Sequence, residues 1–166
     1  YINKNNTEAR TLIKQALDLK ANYIDAIFLL VQIETSEGNL SEAIKQAEYA
    51  GELAPTDSTV FFRLGLLRYN KGDYTGAISA FEKAVIIDNT YLNARYFLGQ
   101  SYKKVGRTSD ALIQFNLLKS VLPDSEEINN AIKTVNNPSQ DDITEESNDS
   151  SKTTDNPAKP PLKEKQ

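Results

Sequence analysis

Residues 58–91 read STVFFRLGLLRYNKGDYTGAISAFEKAVIIDNTY, two helical periods parted by one glycine. Phe61, Leu64, Gly65 and Arg68 recur at spacings of three and four, which puts them on one face of a helix. Ala77, Ile78, Phe81, Ala84 and Val85 do the same on the far side of Gly72. Gly72 stands where a left-handed residue ends a helix at little cost, and Asp73 is a polar residue suited to starting the next. Each helix is roughly three to four turns long, which is marginal for an isolated helix in water. Such a pair needs neighbours.

Shifting the sequence by 34 residues supplies them. Gly38, Gly72 and Gly106 share that interval, as do Leu30, Leu64 and Leu98, and Ala43, Ala77 and Ala111. So do Ala16, Ala50, Ala84 and Leu118, and Leu19, Leu53, Ile87 and Val121. Asn39, Asp73 and Thr108 are placed to open the second helix of each unit, and Pro55 and Pro123 to close two of them. The pattern predicts an all-α solenoid of helix hairpins at 24–57, 58–91 and 92–125. A partial unit precedes them at 7–23, and a capping helix follows at 124–136, opened by Asp124 with Glu127 as a capping box. The repeat body is thus 1–137. Glu34, Arg68 and Tyr102 occupy one slot of successive units, which suggests a Glu34–Arg68 pair with Arg68 against the Tyr102 ring.

Composition narrows the chemistry. The chain has no Cys and no His, so it lacks thiolate and imidazole ligands, a disulfide framework and the commonest general base near neutral pH. Its carboxylates are scattered over helix faces beside Lys partners, and no catalytic residue, cofactor or metal site is expected. Residues 1–137 carry 16 acidic and 15 basic side chains, which gives no electrostatic reason to expect nucleic acid. The longest apolar run, Ala26 to Val31, is far short of the roughly 20 residues that span a bilayer, so this segment itself is not expected to contact a membrane. A start at Tyr1 rather than Met reads as a piece of a longer chain, compatible with an upstream membrane tether. A cytoplasmic setting is slightly favoured.

These units resemble the tetratricopeptide repeat over about residues 7 to 135. The match lies in Leu98, Gly99, Tyr102, Gly106, Ala111, Phe115 and Pro123 of the third hairpin, and in Phe61, Leu64, Gly65, Gly72, Ala77, Phe81 and Ala84 of the second. The wording of the repeats is similar to the C-terminal end of a larger bacterial protein of this family. The resemblance implies a right-handed superhelix whose concave face, built from the first helices, binds peptides. It departs from the family at Arg95, Val31, Glu34 and Arg68. Phe28 and Gln32 stand where some relatives hold the Lys and Asn of a carboxylate clamp, which disfavours a receptor of that type.

By that implied geometry the inner face carries Phe28, Phe62 and Tyr96 in one row, and Gln32, Leu66 and Gln100 in another. Asp25, Thr59 and Asn93 form a third row, and Thr35, Tyr69 and Lys103 a fourth. The expected peptide-binding set is Phe28, Gln32, Phe62, Leu66, Tyr69, Tyr96, Gln100 and Lys103. The aromatic row has a purely structural reading as well, holding adjacent first helices together. Acidic residues gather in the first hairpin and Arg95, Lys103, Lys104 and Arg107 in the third, so an acidic ligand end is expected toward Lys103.

Beyond Pro138 apolar residues nearly vanish, which predicts a disordered tail over 138–166, with Asp141 to Asp155 able to fold back as a pseudo-ligand. The expected role is a non-catalytic scaffold for a protein or peptide partner. The alternative is a spacer or self-association module of a larger protein, including a homo-oligomer, using Ile13, Ala16 and Leu17 at the open N-terminal end.

Overall fold

The computed structural model describes residues 2–20 and 23–137, and among them it holds eight helices and no strand. They are α1 (Ile2–Leu19), α2 (Ile24–Ser36), α3 (Leu40–Leu53), α4 (Ser58–Lys71), α5 (Tyr74–Ile87), α6 (Leu92–Lys104), α7 (Thr108–Val121) and α8 (Glu126–Asn136). The first helices α2, α4 and α6 begin 34 residues apart. Each helix packs on its neighbours in sequence, and α4 also touches α6. The result is a right-handed α-solenoid of antiparallel hairpins. The acidic tail and its expected fold-back lie outside the described residues.

The turn inside each hairpin is the same device three times. Gly38, Gly72 and Gly106 adopt φ of 80°, 84° and 72°, a region where a side chain would be strained. The residue after each glycine sends its N–H back to a carbonyl five positions earlier: Asn39 to Glu34 (2.8 Å), Asp73 to Arg68 (2.9 Å) and Arg107 to Tyr102 (2.9 Å). Helix starts are less uniform than the sequence suggested. Asp73 does cap, its carboxylate accepting from the Gly76 N–H at 2.9 Å. Asn39 does not, because its amide donates to Glu34 Oε2 at 3.0 Å instead. Thr108 is already inside α7, whose cap position is Arg107. The last helix opens at Ser125, which accepts from the Ile128 N–H, and not at Asp124. At the other end α1 reaches back to Ile2, further than the expected 7.

Packing inside a hairpin depends on close approach. Ala43, Ala77 and Ala111 are fully buried, as are Phe81 and Phe115. The Phe81 ring lies directly on Gly65, where an added methyl would sit 2.4 Å from it. Phe115 lies on Gly99 in the same way, with 2.7 Å to such a methyl. In the first hairpin the same two slots hold Val31 and Ala47, both buried in one cluster. The bulk has changed helix: large on the second helix in two units, moderate on the first helix in the other.

Burial departs from the repeat pattern at two places. The Leu19, Leu53, Ile87 and Val121 ladder is a period of sequence more than of core: Leu53 and Ile87 are half-buried, but Leu19 is 91 % exposed and Val121 58 %. At the N-terminal end, Ile13 is not an open patch. The apolar face of α1 turns toward α2, burying Ile13 with Ala26 and Leu30 and half-burying Ala16 and Leu17. The large apolar side chains that do face solvent there are Leu12, Leu19 and Leu29.

Candidate functional site

A depression of about 530 Å³ runs between α2 and α4, the first helices of successive hairpins. Its apolar lining is Phe28, Val31, Leu66 and Leu67. Gln32, Thr35, Ser36 and Asn70 supply polar edges, and Arg63 the one charge among the described residues. The Thr35 and Ser36 hydroxyls donate to the carbonyls of Val31 (2.7 Å) and Ile33 (2.8 Å). Gln32 and Asn70 are exposed, and their amides make no hydrogen bond among the described residues. Three expected residues, Phe28, Gln32 and Leu66, therefore border one hollow. A second hollow of about 520 Å³ lies beside it between α1 and α2, lined by Leu12, Ile13, Leu29 and Ile33 and sharing Gln32.

The other five expected residues are placed differently. Phe62 is half-buried in an aromatic cluster, its ring centroid 4.8 Å from Tyr91, 5.9 Å from Phe81 and 6.1 Å from Phe97. Tyr69 meets Phe97 at 5.8 Å and Tyr74 at 5.3 Å. Tyr96 packs on Phe97 and Phe115, and its hydroxyl accepts from Gln100 Nε2 at 2.9 Å. Burial raises the Tyr96 phenol above its ordinary value, and that of Tyr69 likewise. Lys103 is half-buried in the last turn of α6. Phe62, Tyr69 and Tyr96 are joined through Phe97, a residue the sequence reading did not single out.

Phe97 and Arg63 share a repeat slot, and so do Phe62 and Phe28. The Arg63 guanidinium lies 4.4 Å over the Phe28 ring, much as Phe97 lies against Phe62. A residue 35 positions on, in the next first helix, covers the aromatic of the row. That offset is present in the sequence and marks where hairpins touch. Between the second and third hairpins the cover is an aromatic ring; between the first and second it is a cation.

The slot of Glu34, Arg68 and Tyr102 does not form the expected pairs. Each side chain reaches the second helix of the preceding hairpin. Glu34 pairs with Arg10 of α1, Arg68 with Glu48 of α3 at 2.6 Å, and the Tyr102 hydroxyl donates to Glu82 of α5. It is Arg107, not Arg68, that lies over the Tyr102 ring, at 4.4 Å. Each of these side chains turns toward the second helix of the preceding unit and not toward its equivalent on the next first helix, so 34 residues of separation does not mean contact. The Arg10 hydrogen bond holds the Glu34 carboxyl below the usual carboxylate range against the opposing effect of burial. Burial and the Glu82 hydrogen bond push the Tyr102 phenol up to about 12.

Part of the expected charge gradient is taken up by local pairs. Arg10 also binds Glu37 at 2.5 Å, and Lys45 pairs with Glu42 at 3.3 Å. Arg95, at a slot where Phe61 is buried in the preceding unit, donates to Gln114 Oε1 (3.0 Å) and the Asn89 carbonyl (2.9 Å). Arg107 pairs with Asp110 at 2.7 Å. Among the described residues no group of three or more acidic side chains converges as a metal site, and no helix is long and apolar enough to cross a membrane.

These features define a helical-repeat solenoid with a ligand-sized hollow between first helices. Residues 65–106, the stretch from α4 to the end of the third hairpin's turn, match the family model for the TPR repeat. Among solved structures, MamA superposes with a TM-score of 0.67 at 21 % identity, covering 74 % of this chain and 72 % of that one. The first TPR domain of Spaghetti (RPAP3), bound to the HSP90 peptide SRMEEVD, gives 0.63 at 14 % identity, covering 68 % and 90 %. The Yersinia enterocolitica type III secretion chaperone SycD, in complex with a peptide of the translocator YopD, gives 0.61 at 17 %, covering 68 % and 91 %. No curated protein sequence matches the chain.

Proposed function

We propose that this region is a non-catalytic scaffold that binds an extended peptide of a partner protein along its first helices, with the hollow between α2 and α4 as the principal seat. The hollow carries the reading: an apolar floor takes a side chain, and two unspent amides stand at its edge to pair with peptide backbone. Aromatic Phe62, Tyr69 and Tyr96, bound up with Phe97, act chiefly as the rigid wall beside it. Two structures of similar fold hold peptides, which supports the same use here. The functional unit is 1–137, with hairpins at 24–57, 58–91 and 92–125.

The test is a substitution on the floor. Leu66 is half-buried, so Leu66→Glu leaves the helix intact but puts a charge into the apolar seat. Binding to a hexapeptide library should fall by about tenfold or more, with the circular dichroism spectrum unchanged. Retained binding by a folded Leu66→Glu chain would remove the hollow from the proposal.

A further inference from the structure

Among the described residues Arg63 is the only charge lining the α2/α4 hollow, and no carboxylate shares it. Arg63 is exposed and forms no ion pair among the described residues. Its guanidinium lies 4.4 Å over the Phe28 ring, and a guanidinium held against a ring face still has its planar fork of N–H donors to offer a carboxylate. The hollow is also polarised along its length. Arg63 and Phe28 stand nearer the starts of α4 and α2, whereas Asn70, Thr35 and Ser36 stand near their ends. Between the two ends lie Val31, Leu66 and Leu67.

From this arrangement we propose that the site selects a peptide in which an acidic side chain sits within one or two residues of a large apolar one. The carboxylate takes N–H groups of Arg63, and the apolar side chain enters the Val31, Leu66 and Leu67 floor. Gln32 and, beyond the floor, Asn70 pair with the peptide backbone. From Phe28 to Ser36 a helix rises about 12 Å. An extended peptide advances about 3.3 Å per residue, so the hollow reads roughly four residues. The acidic position thus falls at the seam between the first and second hairpins, far from Lys103. The inference rests on the groove reading of the previous subsection.

The experiment uses the 166-residue chain and a hexapeptide library acetylated at one end and amidated at the other, so that only side chains carry charge. Asp or Glu should be enriched next to Leu, Ile, Phe or Val. Replacing that acid by its amide in the best binder should weaken binding about tenfold. In Arg63→Gln the acid and amide peptides should bind within about twofold of each other. Arg63→Lys, which keeps the charge, should restore part of the preference, and Lys103→Glu with Lys104→Glu should leave the acid-to-amide ratio intact. An undiminished ratio in Arg63→Gln overturns the inference, as does a library in which acids next to apolar residues are depleted. If Leu66→Glu abolishes binding while acids are not enriched, the selectivity fails and the groove survives. Indifference to Leu66→Glu brings down the groove itself.

Discussion

Phe81→Ala is expected to destabilise the chain by about 3–5 kcal/mol, the range for deleting a fully buried aromatic ring. Gly65→Val alone is expected to be costly too, since the first atom of the new side chain meets the Phe81 ring at 2.4 Å. The pair Gly65→Val with Phe81→Ala reproduces Val31 and Ala47, the solution already present in the first hairpin. The double variant should therefore be markedly more stable than the sum of the single losses, with a coupling of about 1–3 kcal/mol. Urea titration followed by circular dichroism reads it. Additive losses would show that the two slots do not exchange volume, and that the first hairpin closes by some other means.

The second large effect is at the junction of α1 with the rest. Arg10→Ala leaves Glu34, whose side chain is 8 % exposed, with Asn39 as its remaining donor. The expected cost is about 1–3 kcal/mol, borne by the docking of α1 and not by the whole stack. Glu34 is shifted down in the folded chain, so its contribution is present above the ordinary carboxylate value of about 4.3 and is lost as pH falls through the lower folded value. Hydrogen exchange in α1 should accelerate in that acid window in the natural sequence, while α4 to α7 keep their protection. In Arg10→Ala, α1 should exchange fast already at neutral pH, with little further change on acidification. An α1 whose protection ignores both pH and Arg10 would mean that Ile13, Ala26 and Leu30 hold it alone.

The repeat made the fold legible. Ladders such as Gly38, Gly72 and Gly106 repeat both residue type and interval, and every one of those glycines turns a hairpin. What lies between units was harder to read, because the interval that reveals the repeat is not the interval of contact. Glu48 and Glu82 meet Arg68 and Tyr102 at a separation of 20 residues, and Arg63 meets Phe28 at 35. Both offsets recur from unit to unit, but only the three-dimensional order of helices says that they matter. Of the proposed peptide-binding side chains, Phe28, Gln32 and Leu66 border the hollow, whereas Phe62 and Tyr69 are drawn into Phe97. Aromatic rings on a first helix can serve a ligand or the next hairpin, and a one-dimensional pattern does not separate the two uses.

The backward reach of Glu34, Arg68 and Tyr102 makes the modules non-interchangeable. Excising residues 58–91 would bring Tyr102 to Glu48, the repeat equivalent of its present acceptor, and the phenol would find a carboxylate again. Excising 24–57 would set Arg68 against Lys14, cation facing cation. A shortened gene that drops the middle pair therefore keeps a matched joint, and one that drops the first pair does not.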